Sequence, residues 1–176
     1  MFSLLIVKLY LFYEEKIMKP TIDVKYINPF LQSSISIVKS VAALDLTVGK
    51  PVKAEFMIKE LTYAIQLGIV GEMKGQVVLG IEDSKAKAIA SKMMFGMPVD
   101  TLDEMASSAL NELSNMIMGN TATIFSTQGI LIDITPPIAV YGRDIQLMSD
   151  IEGIKVPLLV DGEEWITLYV CIYMDK

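Results

Sequence analysis

Apolar positions along the chain change period several times, and each change marks an element. After Asn28-Pro29, Phe30, Leu31, Ile35, Val38, Val41 and Ala42 recur at helical spacing, which predicts a helix over about residues 29–44. Asn28 is its expected N-cap and Pro29 its first helical residue. Val48-Gly49-Lys50-Pro51 then punctuates the chain. Strand patterns follow at 52–58, 63–73 and 76–82, with a turn expected at Lys74-Gly75. Asp83 can cap a helix running to about Met94, stopped by Gly96 with Pro98 beyond. Thr101 and Glu104 have capping-box spacing, and Gly129 lies past the end of the helix they open, which would be about 27 residues and roughly 40 Å long. Strand patterns return at 130–134, 138–141, 145–148 and 155–160. The hairpin signal Asp161-Gly162 then leads into 164–174. This order reads as an α+β fold, with helices packed on a largely antiparallel sheet.

On a wheel of about 100° per residue, Leu102, Ala106, Ala109, Leu110, Leu113, Ile117 and Ile124 of the long helix form a core face, with Met105 and Met116 at its margin. Glu104, Ser108, Asn111, Glu112, Asn115, Gly119 and Ala122 lie opposite. Solvent-facing helix surfaces normally mix Lys, Arg and Glu, yet no Lys or Arg occurs between Lys92 and Arg143. Small side chains instead flank the polar pair Glu112 and Asn115, one turn apart, and Gly119 weakens a helix interior by about 1 kcal/mol relative to Ala. A flat helix face of this kind admits close approach by another protein. Glu-x-x-Asn alone is an unspecific motif, and a merely solvated polar face is the simpler reading of it.

Composition narrows the chemistry. The 176 residues are 52% hydrophobic and 20% charged, a globular balance, and the net charge of −6 argues against a nucleic-acid surface. With no histidine and one cysteine, a Ser-His-Asp triad, a Cys-His pair, a His-rich zinc site and an internal disulfide are all excluded. Cys171 falls in the apolar run 165–174 and is expected to be a buried structural thiol in a reducing setting. Catalysis would have to use carboxylates, amides, hydroxyls or a metal brought by a partner. The acids Asp150, Glu152 and Asp161 to Glu164 near expected turns raise the alternative of a metal-dependent hydrolase, against which they lack a full calcium-ligand pattern.

Residues 2–13 are apolar except for Ser3 and Lys8, shorter than the ~20 residues of a membrane span and without a signal-peptide cleavage site. Residues 1–18 are expected to be an N-terminal extension, with Met18-Lys19-Pro20 as a start, and 19–176 a single domain. A short hydrophobic helix resting on the protein or a membrane surface is the rival.

The segment 105–120, MASSALNELSNMIMGN, closely resembles the active helix of the CheC/CheX/FliY phosphatase family. The run 68–81, GIVGEMKGQVVLGI, with 86–97 after it, is similar to the strand-turn-strand-helix that precedes that helix, and 26–31, YINPFL, to the family's opening. The likeness covers roughly residues 19–176 in the same order. It implies a CheC-like α+β fold with one long active helix, and catalytic roles for Glu112 and Asn115. Ser108, Asn111 and Gly119 would form the partner-binding surround. Aligning 33–38, SSISIV, with 112–117, ELSNMI, puts Ser33 and Ser36 where an acid and amide would stand in the first helix, so one active site per chain is expected. The resemblance also implies a cytoplasmic homodimer acting on phosphorylated CheY or a CheY-like receiver domain. It would have no cofactor of its own, Mg²⁺ being held by the partner, and no nucleic-acid or membrane partner. A non-catalytic CheY-binding or flagellar-switch module of the same fold is the alternative.

Overall fold

The computed structural model describes residues 23–174 apart from Phe56, Met148 and Asp150. The N-terminal extension and Asp150 therefore lie outside the described residues. Among the described residues, three α-helices lie on one face of an antiparallel sheet: α1 (Asn28–Ala42), α2 (Asp83–Met93) and α3 (Glu104–Thr127). The strands are β1 (Thr47–Val48), β2 (Val52–Lys53), β3 (Met57–Ile58), β4 (Thr62–Gly71), β5 (Met73–Glu82), β6 (Ile132–Ile134), β7 (Ile138–Gly142), β8 (Ile145–Gln146), β9 (Ile154–Val160) and β10 (Glu163–Met174). The main sheet has the order β1-β9-β10-β5-β4-β6, with β2 sharing the β9 edge and β7 the β4 edge; β3 and β8 make a separate ribbon. The expected fold class holds.

The long strands bury alternate residues on the helical side. Ile65, Leu67 and Ile69 of β4, Val77, Leu79 and Ile81 of β5, and Leu168 and Val170 of β10 join the helices in one core. Ala64, Val78 and Tyr169 face the other way and are covered by Ala54 and Ile58, with Ile145 and Leu147 packed against them. Cys171 is buried, and burial pushes its thiol above the ordinary value, as expected of a structural cysteine.

Several boundaries differ from the sequence pattern. The helix α1 begins at Asn28 itself, with Ile27 at the cap and no side-chain cap bond. A 3₁₀ turn, Val24–Tyr26, feeds in ahead of it, and the Ile27 carbonyl accepts from the Phe30 and Leu31 amides at 3.0 and 3.3 Å. The stretch 52–58 is two short strands in different sheets, because the chain leaves the β9 edge at Ala54 to cross the sheet. The turn between β4 and β5 falls at Glu72, next to Gly71 (φ +115°), rather than at Lys74-Gly75. Gly75 lies inside β5, where a Cβ would sit 2.0 Å from the Cys171 carbonyl oxygen, so this glycine permits close strand approach. The helix α3 starts two residues or so later than its capping box suggested. Asp103 is the N-cap, its Oδ1 accepting from the Ala106 amide at 2.9 Å, and the helix has 24 residues. The Asp161-Gly162 hairpin forms as expected, with φ of 51° and 82°.

A polar clamp ties α2 to the sheet edge. Tyr141 on β7 donates to Asp83 Oδ1 at 2.5 Å, and Lys87 reaches Asp83 Oδ2 at 2.9 Å. Burial opposes ionisation of Asp83, but these two bonds outweigh it and hold the carboxyl below its ordinary range.

Candidate active site on helix α3

The helix α3 packs against α1, α2 and β6, so its orientation is fixed from several sides. Phe125 meets Phe30 edge-on with ring centroids 5.5 Å apart. Asn120 Nδ2 donates to Ser33 Oγ at 3.1 Å, joining α3 to α1. From the sheet, the Tyr63 hydroxyl donates to Asn111 Oδ1 at 3.3 Å.

The buried face of α3 is wider than its apolar stripe. Ala106, Leu110, Leu113 and Ile117 are buried as expected, but so are Ser114, Met118, Thr121 and Phe125, whereas Ala109 and Ile124 are only half-buried. Packing of α1 against the flank of α3 shifts the buried arc. The hydroxyls tolerate burial because Ser114 Oγ donates to the Asn111 carbonyl at 2.7 Å and Thr121 Oγ1 to the Ile117 carbonyl at 2.8 Å. Hydrophobic counting misses such positions, since the partner is the helix itself.

On the opposite side the structure brings the predicted site residues into one row. Ser108, Glu112, Asn115 and Gly119 are exposed, while Asn111 is half-buried and held by Tyr63. Glu112 and Asn115 are separated by about 4.5 Å of helix rise. The side chain of neither makes a hydrogen bond or ion pair with another described residue. A Cβ on Gly119 would meet nothing within 4 Å, so the chain's own packing does not require glycine there.

This row is the exposed side of the helix. A cleft of about 410 Å³, lined by Thr62, Gly80 and Tyr169 among others, opens elsewhere. Exposed side chains on one face of a helix can be reached by a group carried on another macromolecule. Among the described residues, no three His, Cys, Asp or Glu side chains are grouped to hold a metal ion. The acids near the turns go to separate partners: Glu152 pairs with Lys53, Glu163 with Lys85, and Glu164 accepts from Thr167.

The expected equivalence of Ser33 with Glu112 needs correction. Ser33 is fully buried against α3, whereas Glu112 is exposed. The burial patterns coincide instead when Phe30, Ser33, Ser34 and Val38 are laid on Leu110, Leu113, Ser114 and Met118. That register sets Gln32 against Glu112 and Ile35 against Asn115.

The fold and this helix define an α+β protein of the CheC-like kind. A CheC-like superfamily protein from Shewanella sp. PV-4 superposes with a TM-score of 0.77 at 27% identity, over 86% of this chain and 99% of that one. The CheX chain of a CheX–CheY–BeF₃–Mg²⁺ complex from Borrelia burgdorferi superposes with a TM-score of 0.72 at 28% identity, over 86% and 99%. The CheY-P phosphatase CheX of Thermotoga maritima is 31% identical over 150 residues, 85% of this chain and 97% of that protein. Residues 63–159 match the family model for the chemotaxis phosphatase CheX, and the chain belongs to that family.

Proposed function

We propose that this protein hydrolyses the aspartyl phosphate of phosphorylated CheY, or of a CheY-like receiver domain, with Asn115 orienting the attacking water and Glu112 fixing the approach. The observation that carries this reading is the unpartnered Glu112 and Asn115, one turn apart on an exposed, otherwise small-residue face of a rigid helix. The setting is a chain of the chemotaxis phosphatase family.

Aspartyl-phosphate hydrolysis needs a water in line with phosphorus and neutralisation of the equatorial oxygens, with little covalent help. An amide both donates and accepts, so Asn115 can hold water by its carbonyl oxygen and direct a lone pair at phosphorus without taking charge. Glu112 pairs with a lysine beside the partner's phosphoaspartate, setting the register in which Asn115 enters. Mg²⁺ belongs to the partner; the metal in the Borrelia assembly, which also holds a beryllofluoride group, is consistent with that. Ser108 and Gly119 keep the flanking surface low.

The protein is further proposed to act in the cytoplasm as a homodimer of single-domain chains. The edge strand β7, with Ile138, Val140 and Tyr141 exposed, offers a surface for self-association.

The test is decay of a cognate phosphorylated receiver with and without the protein, Asn115→Ala serving as control. Acceleration that disappears in the variant is expected. Binding of the phosphorylated receiver without a shortened lifetime would replace this reading with the non-catalytic module.

A further inference from the structure

The phenol of Tyr63 reaches the flank of the row on α3 from the sheet. Tyr63 stands on β4 in register with Ile81 of β5 on one side and Tyr141 of β7 on the other, so its backbone is held from both. The residue is 4% exposed and belongs to the main core, its ring 6.3 Å from that of Tyr141. Its hydroxyl meets two acceptors, Asn111 Oδ1 at 3.3 Å and the Ser107 carbonyl at 3.5 Å. A phenol has one proton to give. The Ser107 carbonyl lies in the body of α3, where it already accepts from the Asn111 backbone amide. The carboxamide oxygen, closer and with no other donor among the described residues, is the better acceptor.

That bond decides which way the Asn111 amide faces. With Oδ1 turned to the sheet, Nδ2 is turned away from it. Nδ2 donates to no described residue, and no buried side-chain nitrogen among them lacks a partner, so this end of the amide is open to solvent. Asn111 stands three positions after Ser108 and four before Asn115, spacings that make it a neighbour of both on the helix surface. It lies about 40° around the helix from Asn115, with about 6 Å of rise between them. A donor one turn away from the water-holding amide meets the receiver beside its phosphoaspartate and not at the phosphorus.

We propose that Tyr63 is a positioning residue for receiver docking: its hydroxyl holds the Asn111 carboxamide with Nδ2 outward, and that N–H donates to an acceptor oxygen of the receiver beside the phosphorylated aspartate. This rests on the reading of Glu112 and Asn115 as the phosphatase pair, which supplies the receiver as the occupant. Tyr63 does not touch the receiver, and its effect passes through Asn111. A free carboxamide can turn either end outward, and an outward Oδ1 would set a lone pair against the receiver's oxygen. Holding Oδ1 on the sheet side removes that orientation before binding.

The experiment measures affinity for the beryllofluoride-activated cognate CheY-type receiver, alongside KM and kcat for the phosphorylated form. The proteins compared are wild type, Tyr63→Phe, Asn111→Ala, the double variant of these two, and Asn111→Asp. Tyr63→Phe keeps the ring and its packing, so it should weaken binding and raise KM by about threefold with kcat unchanged. Asn111→Ala should raise KM by about fivefold, and adding Tyr63→Phe to it should change nothing further, because the hydroxyl then has no amide to hold. Asn111→Asp separates docking from support of the fold. Its carboxylate still accepts from Tyr63 but has no N–H to give, so stability should be kept while KM rises at least as far as in Asn111→Ala. An unchanged KM in Tyr63→Phe, additive losses in the double variant, or wild-type affinity in Asn111→Asp each overturn the proposal. Failure of the phosphatase reading looks different. Wild type then binds the activated receiver, and Tyr63→Phe weakens that binding, but neither shortens the phosphoryl lifetime. Wild type that does not bind the receiver at all overturns both.

Discussion

Helices α1 and α3 lie side by side and share a pattern of burial, yet only one of them carries a usable outer face. Phe30, Ser33, Ser34 and Val38 are buried in α1 as Leu110, Leu113, Ser114 and Met118 are in α3. In both helices a buried serine turns its hydroxyl back onto its own backbone, Ser34 to the Phe30 carbonyl at 2.8 Å and Ser114 to the Asn111 carbonyl at 2.7 Å. Outward, the match fails. Where α3 shows Glu112, Asn115 and Gly119, α1 shows Gln32 and Lys39 with a half-buried Ile35 packed against the core between them, and Lys39 is engaged by Asp45 at 2.6 Å. The inner faces answer to packing on the sheet and on each other. The outer faces are free to differ, so what α3 alone displays is where function is to be sought.

The comparison breaks most sharply at the amide. Asn115→Ala should lower kcat for receiver dephosphorylation at least about a hundredfold, equivalent to ~2.7 kcal/mol of barrier, with most of the receiver binding kept. Ile35→Ala, the matched change in α1, should leave turnover at the wild-type rate. Equal losses from the two would mean that both helices touch the substrate and that the asymmetry is misread. One step lower in effect stands the acid. Glu112→Ala should raise KM by roughly tenfold through lost pairing with the partner's lysine, whereas Gln32→Ala should do nothing. A Glu112→Ala protein with unchanged dependence of rate on phosphatase concentration would remove the docking role.

How far the sequence disclosed this arrangement depends on what each pattern measures. Long strands and long helices were legible because β4, β5, β10 and α3 repeat their periodicity over many turns or pleats. The exposed row on α3 was legible for the same reason, together with its lack of Lys and Arg. The short β1 was not, since it is an exposed pair of residues whose structure comes from β9 beside it, and β2 was legible only as the start of a longer strand over 52–58. Gly75 shows a subtler limit: glycine after lysine reads as a turn, and only the Cys171 carbonyl across the sheet reveals the real demand. Registering α1 on α3 by residue likeness matched serine with acid and amide. Burial moved the register by one, because the likeness lies in which side is covered and not in side-chain chemistry. Asn111 was grouped with the exposed row because the wheel cannot see Tyr63 reaching it from the sheet.

Gly119 and Lys39 sharpen the comparison next. With open space around a Cβ at 119, Gly119→Ala should stabilise the fold by about 0.5–1 kcal/mol, read as a higher midpoint in denaturant. The same variant should lose catalytic efficiency if close approach of the receiver is what glycine serves. Gly119→Lys would copy α1 onto α3 and should lose far more by crowding the amide. If Gly119→Ala gains stability with no loss of efficiency, the flatness of this face is incidental.

The smallest effects test whether the two inner faces really are one design. The hydroxyls of Ser34 and Ser114 each donate to a carbonyl of their own helix. Replacing either by alanine loses that bond, but helix-interior carbonyls retain their backbone partners, so no buried group is orphaned. Alanine also gains roughly 0.5 kcal/mol in helix propensity. The terms nearly cancel, and both Ser34→Ala and Ser114→Ala should shift stability by less than about 0.5 kcal/mol, in the same direction, in urea unfolding. Any difference between them is then informative about α3 alone. Ser114 bonds the carbonyl of Asn111, the residue just before Glu112, with Asn115 just after Ser114. A neutral change at Ser34 with a raised KM at Ser114 would show that this hydroxyl, besides filling the core, holds the backbone from which the acid and the amide project.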